Sequence, residues 1–210
     1  MRAVLGSLLA VAVVSAVTAA TRVGAIRLRW LASSPRQVAD GRVWLLVSSA
    51  FVADRPIVLS IAAFGGFAVV GAIVCGARLL WISAALGHVG STLAAYAGLG
   101  LLRSVDPGAF AADVDLPDFG VSAIIAAWLG AIVVVEWRRH PSRTVRAGLV
   151  GFCLLCLLVG LAADPDLTVL DSDHLYAFAI GVGCATLSPA VTSSSSRFAA
   201  GASGHAQRPS

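Results

Sequence analysis

Two residues at the mouths of two apolar segments have the types needed for nucleophilic chemistry. Ser122 lies in Asp118-Phe119-Gly120-Val121-Ser122-Ala123, and His174 follows Asp171-Ser172-Asp173. A serine becomes a nucleophile when a histidine within hydrogen-bond reach removes its proton, so the pair points to acyl transfer or hydrolysis. The neighbours suit that use. Gly120 leaves backbone room for a peptide, and Ala177 and Gly181 give a smooth face one and two turns below His174. Asp118, four residues before Ser122 and so one helical turn above it, is placed to position water or His174, although an outer-loop acid is more often just solvated. Two plainer readings stay open. Serines in membrane helices commonly bond back to their own backbone, and a histidine beside Asp171 and Asp173 can be a solvated, ion-paired cap.

The remaining reactive types offer less. His88, Thr92 and Tyr96 recur at four-residue spacing and share one helix face. That face must point into a bundle, because a lipid-facing histidine is costly. His88 is expected deeper than Ser122, joining helices by hydrogen bonding and supporting the site from there. Cys153 and Cys156 form a C-x-x-C, but they sit in the apolar run GFCLLCLLVG without a nearby His or Asp. There they behave as small hydrophobes. The chain carries no glycine-rich phosphate loop, no H-E-x-x-H and no calcium-loop spacing. Neither a cofactor nor a metal is expected.

These residues must be positioned by a membrane protein. Hydrophobic residues make up 58% of the 210-residue chain and charged ones 12%, about half the charge of a soluble domain; mean hydropathy is +0.89. Six apolar runs reach the roughly 17–25 residues needed to span: Val4–Ala20, Pro56–Ala77, Leu79–Leu102, Phe119–Val135, Ala147–Ala163 and His174–Ala190. The first exceeds a signal-peptide core in length and reads as a retained helix. Residues 1–187 form one six-span domain, and 188–210, small and polar, read as a disordered cytoplasmic tail.

Charge sets the orientation. All 15 basic residues are arginine, a bias that fits a GC-rich bacterial genome and hence a bacterial plasma membrane. With the N-terminus inside, Arg2, Arg78, Arg138, Arg139, Arg143, Arg146, Arg197 and Arg208 are cytoplasmic and every aspartate is outside, as positive-inside topology requires. The first outer loop conflicts, carrying Arg22, Arg27, Arg29, Arg36, Arg42 and Arg55. Within it Val43–Phe51 is apolar but too short to span, so it reads as interfacial or re-entrant, with Trp44 at headgroup level. The arginines lie in short groups without interleaved aromatics, which excludes a nucleic-acid reader.

From about Gly41 to Leu187 the sequence resembles the rhomboid family of intramembrane serine proteases. Gly120-x-Ser122 is similar to the family's nucleophile motif, and His174 with Ala177 and Gly181 to its last-span motif. The Trp44–Phe51 piece resembles its interfacial loop. The resemblance implies an all-α, six-helix bundle that cleaves membrane-anchored protein substrates near the outer face. Ser122 would be the nucleophile, His174 the general base, and the Ser122 backbone N–H an oxyanion donor. The chain departs from the family in several places. Pro56–Ala77 lacks the second-span His and Asn, Ser-Gly is Ser122-Ala123, Ala126 replaces an aromatic, and Trp-Arg is Trp44-Leu45. Loss of one oxyanion donor costs about 10²–10³ in rate, so a catalytically silent member that binds transmembrane helices is the alternative.

Overall fold

A computed structural model of the chain describes residues 2–108, 110–163 and 168–188, apart from the side chains of 2, 154 and 157–163. The expected tail, from residue 189 onward, and Asp164 and Asp166 lie outside the described residues. The described chain is all-α. Its helices are α1 (Arg2–Arg22), α2 (Pro35–Ala39), α3 (Leu45–Ser48), α4 (Ile57–Val74), α5 (Gly76–Val105), α6 (Gly120–Arg139), α7 (Arg143–Ala163) and α8 (Ser172–Leu187). Four of them are long and apolar enough to cross a membrane: α1, α4, α5 and α6. That makes the chain a multi-pass membrane protein by the length and composition of its helices.

The helices differ from the apolar runs where polar residues extend or shorten them. α4 and α5 divide at Gly76, whose φ of +75° lets the chain turn back with no side chain to strain. α5 carries on through Arg103 to 30 residues, beyond the apolar run. α6 continues past Val135 and places Arg138 and Arg139 in its last turn, where cations favour the helix dipole. α8 is 16 residues long, just under the roughly 17 needed to span, and α7 starts on Arg143 rather than at Ala147.

Side-chain contacts fix the helix directions. The Ser7 hydroxyl donates to the Ala68 carbonyl at 3.1 Å, while Val11 faces Gly65, so α1 and α4 run antiparallel. Trp128 Nε1 donates to the Leu80 carbonyl at 2.9 Å, and the His88 ring lies against Gly120, so α5 and α6 are antiparallel too. α6 and α8 run parallel and close: Ala123 and Ala127 cluster with Ala177 near their starts, and Arg138 in the last turn of α6 reaches the Ala185 and Thr186 carbonyls at the end of α8. A Cβ at Gly181 would fall on the Ala127 backbone, and one at Gly130 on the Phe178 carbonyl. Ala123, Ala127 and Ala177 complete a seam of small side chains. Such residues let backbones approach in lipid, where association rests on van der Waals packing.

The bundle thus has two chemically distinct ends. At one, Arg138 donates to the Ala185 and Thr186 carbonyls at 2.9 and 3.1 Å, and Arg139 donates to the Val74 carbonyl at 2.8 Å. These guanidiniums satisfy the free carbonyls at the ends of α8 and α4. Glu136 holds Arg139 at 3.1 Å and His140 at 3.2 Å, and Arg146 stacks over Trp137 at 4.7 Å. The other end carries the described aspartates of the later loops and the segment between α1 and α4.

Candidate functional site

The segment between α1 and α4 folds back over the aspartate end. Ser33 and Asp118 exchange backbone hydrogen bonds at 2.7 and 3.3 Å, the one β-bridge among the described residues. Arg36 pairs in a bidentate manner with Asp115 at 2.5 and 3.0 Å. Val43–Phe51 forms α3 and a following 3₁₀ turn. Leu45, Leu46 and Ser49 are buried, while Val43, Trp44, Val47 and Phe51 stay exposed. An amphipathic, tucked segment of this kind suits a membrane interface.

Under this segment lies a line of buried polar side chains. Ser49 Oγ is 3.1 Å from His88 Nε2 and 3.5 Å from Ser33 Oγ. Tyr96 Oη lies 2.9 Å from Ser33 Oγ and 3.0 Å from Asp118 Oδ2. Ser33, Ser49 and His88 are all buried, and Thr92 with them. His88 Nδ1 and Thr92 Oγ1 have no partner among the described residues. His88 also forms part of the wall of a cavity of about 240 Å³ that is otherwise apolar, bounded by Val14, Val47, Phe64, Trp81 and Ile124.

Three sequence expectations change here. His88 is not deeper than Ser122: its ring lies against Gly120, at the first residue of α6. Counting residues along the apolar run misjudged this because α5 projects well past the start of α6. The absent side chain of Gly120 gives clearance to the His88 ring, since a Cβ there would collide with the imidazole, so this room is not open to a peptide. Asp118 does not stand a helical turn above Ser122. It lies in extended chain before α6, held by Ser33 and Tyr96.

Ser122 sits in the first turn of α6 on an exposed face, and its hydroxyl makes no hydrogen bond among the described residues. His174 sits in the first turn of α8, on the stripe it shares with Ala177 and Gly181. That stripe packs on α6. The parallel register therefore brings both first turns to the same end, but no hydrogen bond joins the two side chains. His174 Nδ1 lies 3.1 Å from the Asp171 carbonyl and 2.7 Å from Asp173 Oδ1. The Asp171 carbonyl can only accept, so Nδ1 donates to it, and Asp173 stands beside the ring at ion-pair distance without accepting a hydrogen bond through Oδ1 among the described residues. Asp173 is buried. Phe119 provides no side-chain cap to α6, leaving the first-turn N–H groups as free donors.

Burial, and then the nearby charge of Asp173, raise the Asp118 carboxyl from 3.8 to about 7. The Tyr96 hydroxyl and His174 act in the opposite sense. The folded protein therefore holds a proton that the unfolded chain releases above about pH 4. Its contribution to stability is complete below pH 4 and is lost as pH rises to about 7. Thermal unfolding in detergent should show stability declining over this window, and Asp118→Asn should flatten the decline. An unchanged profile in Asp118→Asn would assign the dependence to another group.

Sequence reasoning missed Ser33, Ser49 and Asp173 as members of the polar cluster. Ser33 and Ser49 lie in a loop without periodicity, and their partners are far away in the chain. Asp173 was legible only as the ion-pair partner of a solvated, capping histidine, whereas it is buried. Compared with protein-family models, curated proteins and solved structures, the chain matches none.

Proposed function

We propose that the chain is a six-span, rhomboid-like serine protease of a bacterial plasma membrane, cleaving membrane-anchored proteins near the outer face. The observation that carries the proposal is the state of His174. Its Nδ1 donates to the Asp171 carbonyl and stands 2.7 Å from Asp173 Oδ1, so Nε2 is the nitrogen left to exchange a proton at the end of the bundle where Ser122 lies. In this reading Ser122 attacks the scissile carbonyl, His174 takes the hydroxyl proton and returns it to the leaving amine, and Asp173 steadies the imidazolium. The uncapped N–H groups of the first turn of α6, that of Ser122 included, hold the oxyanion.

The helix directions support six spans. α6 ends at the arginine end, and α8, parallel to α6, starts at the aspartate end. The 21 residues of α7, about 31 Å of helix, bridge that distance. The short α8 then crosses with its mouth recessed below the headgroups. Positive-inside orientation places both termini in the cytoplasm. Reporter fusions after Gly108 should read outside and fusions after Pro141 inside, and the reverse pattern would put Ser122 and His174 at the inner face.

A second reading is favoured by one fact: the Ser122 hydroxyl has no hydrogen-bond partner among the described residues. A silent member would use the same face to bind transmembrane helices. Fluorophosphonate labelling in native membranes separates the two. The protease reading expects slow labelling that Ser122→Ala abolishes. Well-expressed protein without Ser122-dependent labelling makes the chain the silent helix binder.

A further inference from the structure

We propose that Asp118, Tyr96, Ser33 and Ser49 form a proton-conducting chain linking solvent at the aspartate end to the imidazole of His88. This goes beyond the protease reading and uses neither Ser122 nor His174 as a carrier. The links are Asp118 Oδ2 to Tyr96 Oη at 3.0 Å, Tyr96 Oη to Ser33 Oγ at 2.9 Å, Ser33 Oγ to Ser49 Oγ at 3.5 Å, and Ser49 Oγ to His88 Nε2 at 3.1 Å. From Tyr96 to His88 the path covers about 12 Å along α5. Only Tyr96 and His88 belong to a long helix, α5; the loop and the approach to α6 supply Ser33, Ser49 and Asp118. The chain therefore runs from the end of the bundle down to a buried ionisable group of the kind that marks proton relays.

The chemistry of the members supports transport as well as anchoring. Each of the three middle groups is a hydroxyl, able to donate and accept at once. No amide or guanidinium interrupts the direction of transfer. The ends are two groups that bind and release protons: the carboxyl of Asp118, a half-buried residue, and a buried imidazole. Pinning the loop would not need such a chain, because the Ser33–Asp118 backbone bridge and the Arg36–Asp115 pair already tie it down.

In one passage, protonated Asp118 gives its proton to Tyr96 Oη, Tyr96 passes its own to Ser33, and Ser33 passes its own to Ser49. Ser49 then passes its proton to His88 Nε2. Asp118 is left as carboxylate and His88 as imidazolium. Water outside reprotonates Asp118, and rotation of the three hydroxyls resets the chain. The 3.5 Å link is longer than the usual O–H···O distance of about 2.8 Å, so closure of the two serines is the slow step. Asp173 of α8 is the charged group whose field reaches His88. The other walls around His88 are uncharged: Val14 of α1, Val47 of the loop, Phe64 of α4, and Gly120 and Ile124 of α6.

The test is exchange of the His88 ring proton with water, followed by nitrogen-15 NMR of histidine-labelled protein in lipid nanodiscs. The His88 signal is the one missing from His88→Gln. Ser33→Ala removes one hydroxyl and keeps the backbone bridge, so exchange must then await local opening and should slow by about tenfold or more. Tyr96→Phe should slow it likewise, and Ser33→Thr, which keeps the hydroxyl, should restore the wild-type rate. A group that only pinned the loop would have the opposite effect, because loosening it admits water. Exchange that is unchanged or faster in both Ser33→Ala and Tyr96→Phe overturns the proposal. Ser122-dependent labelling in Ser33→Ala is read separately and bears on the protease alone.

Discussion

Gly181→Leu should yield little or no folded protein. A Cβ at this position would fall on the Ala127 carbonyl of α6, and a backbone atom cannot move away by changing rotamer. Opposite it, Gly130 is closed in the same way by the Phe178 carbonyl and the Val182 nitrogen. The two helices would have to separate along the whole seam. Overpacking within a core costs about 1–3 kcal/mol when side chains can adjust, and this contact leaves them no room, so the upper end or more is expected. In the membrane no hydrophobic gain offsets the loss, because lipid is as apolar as the seam. Gly183→Leu is the control. Its Cβ would meet open space, so its effect should stay within about 0.5 kcal/mol. Thermal unfolding and the monodisperse fraction in detergent measure both. Equal stability of the two variants would mean that α6 and α8 are not packed through this stripe.

The second large effect concerns the base. If His174 Nε2 takes the Ser122 proton, His174→Ala should lower the rate of fluorophosphonate labelling by about 10²–10⁴, the usual worth of a general base. Asp173→Asn keeps the ring but removes the charge beside Nδ1, and the loss should approach the roughly 10⁴ seen when a triad carboxylate is neutralised. His88→Gln should change labelling little, because His88 is bonded to Ser49 and not to Ser122. Labelling that survives His174→Ala at the wild-type rate would remove His174 from the mechanism while leaving the fold intact.

Local spacing made part of this legible. His174, Ala177 and Gly181 fall on one stripe by periodicity alone, and a smooth stripe in a membrane helix has to meet another backbone. Arg138 and Arg139 mark one end of the bundle for the same local reason. The loop over the aspartate end was not legible in this way. Ser33 meets Asp118 and Tyr96 across long stretches of chain, and nothing in a serine's neighbours tells which distant group its hydroxyl will meet. The level of His88 was misread because the ends of two apolar runs do not tell how their helices are staggered. Leu80 meets Trp128 and His88 meets Gly120, so most of α5 beyond His88 extends past the start of α6. Gly120 was legible as a position needing space, but only the fold assigns that space to the imidazole.

The catalytic proposal stands on which serine is activated, and the most direct measurement is to map the fluorophosphonate adduct by peptide mass spectrometry of protein labelled in membranes. Two serine–histidine pairs come into question among the described residues: Ser122 and His174 in the first turns of α6 and α8, and Ser49 hydrogen-bonded to His88 beneath the loop. Ser49 is fully buried, whereas Ser122 is open to a probe. The account predicts an adduct on Ser122 that is lost in His174→Ala. An adduct on Ser49, or none on well-folded protein after prolonged incubation, would contradict it.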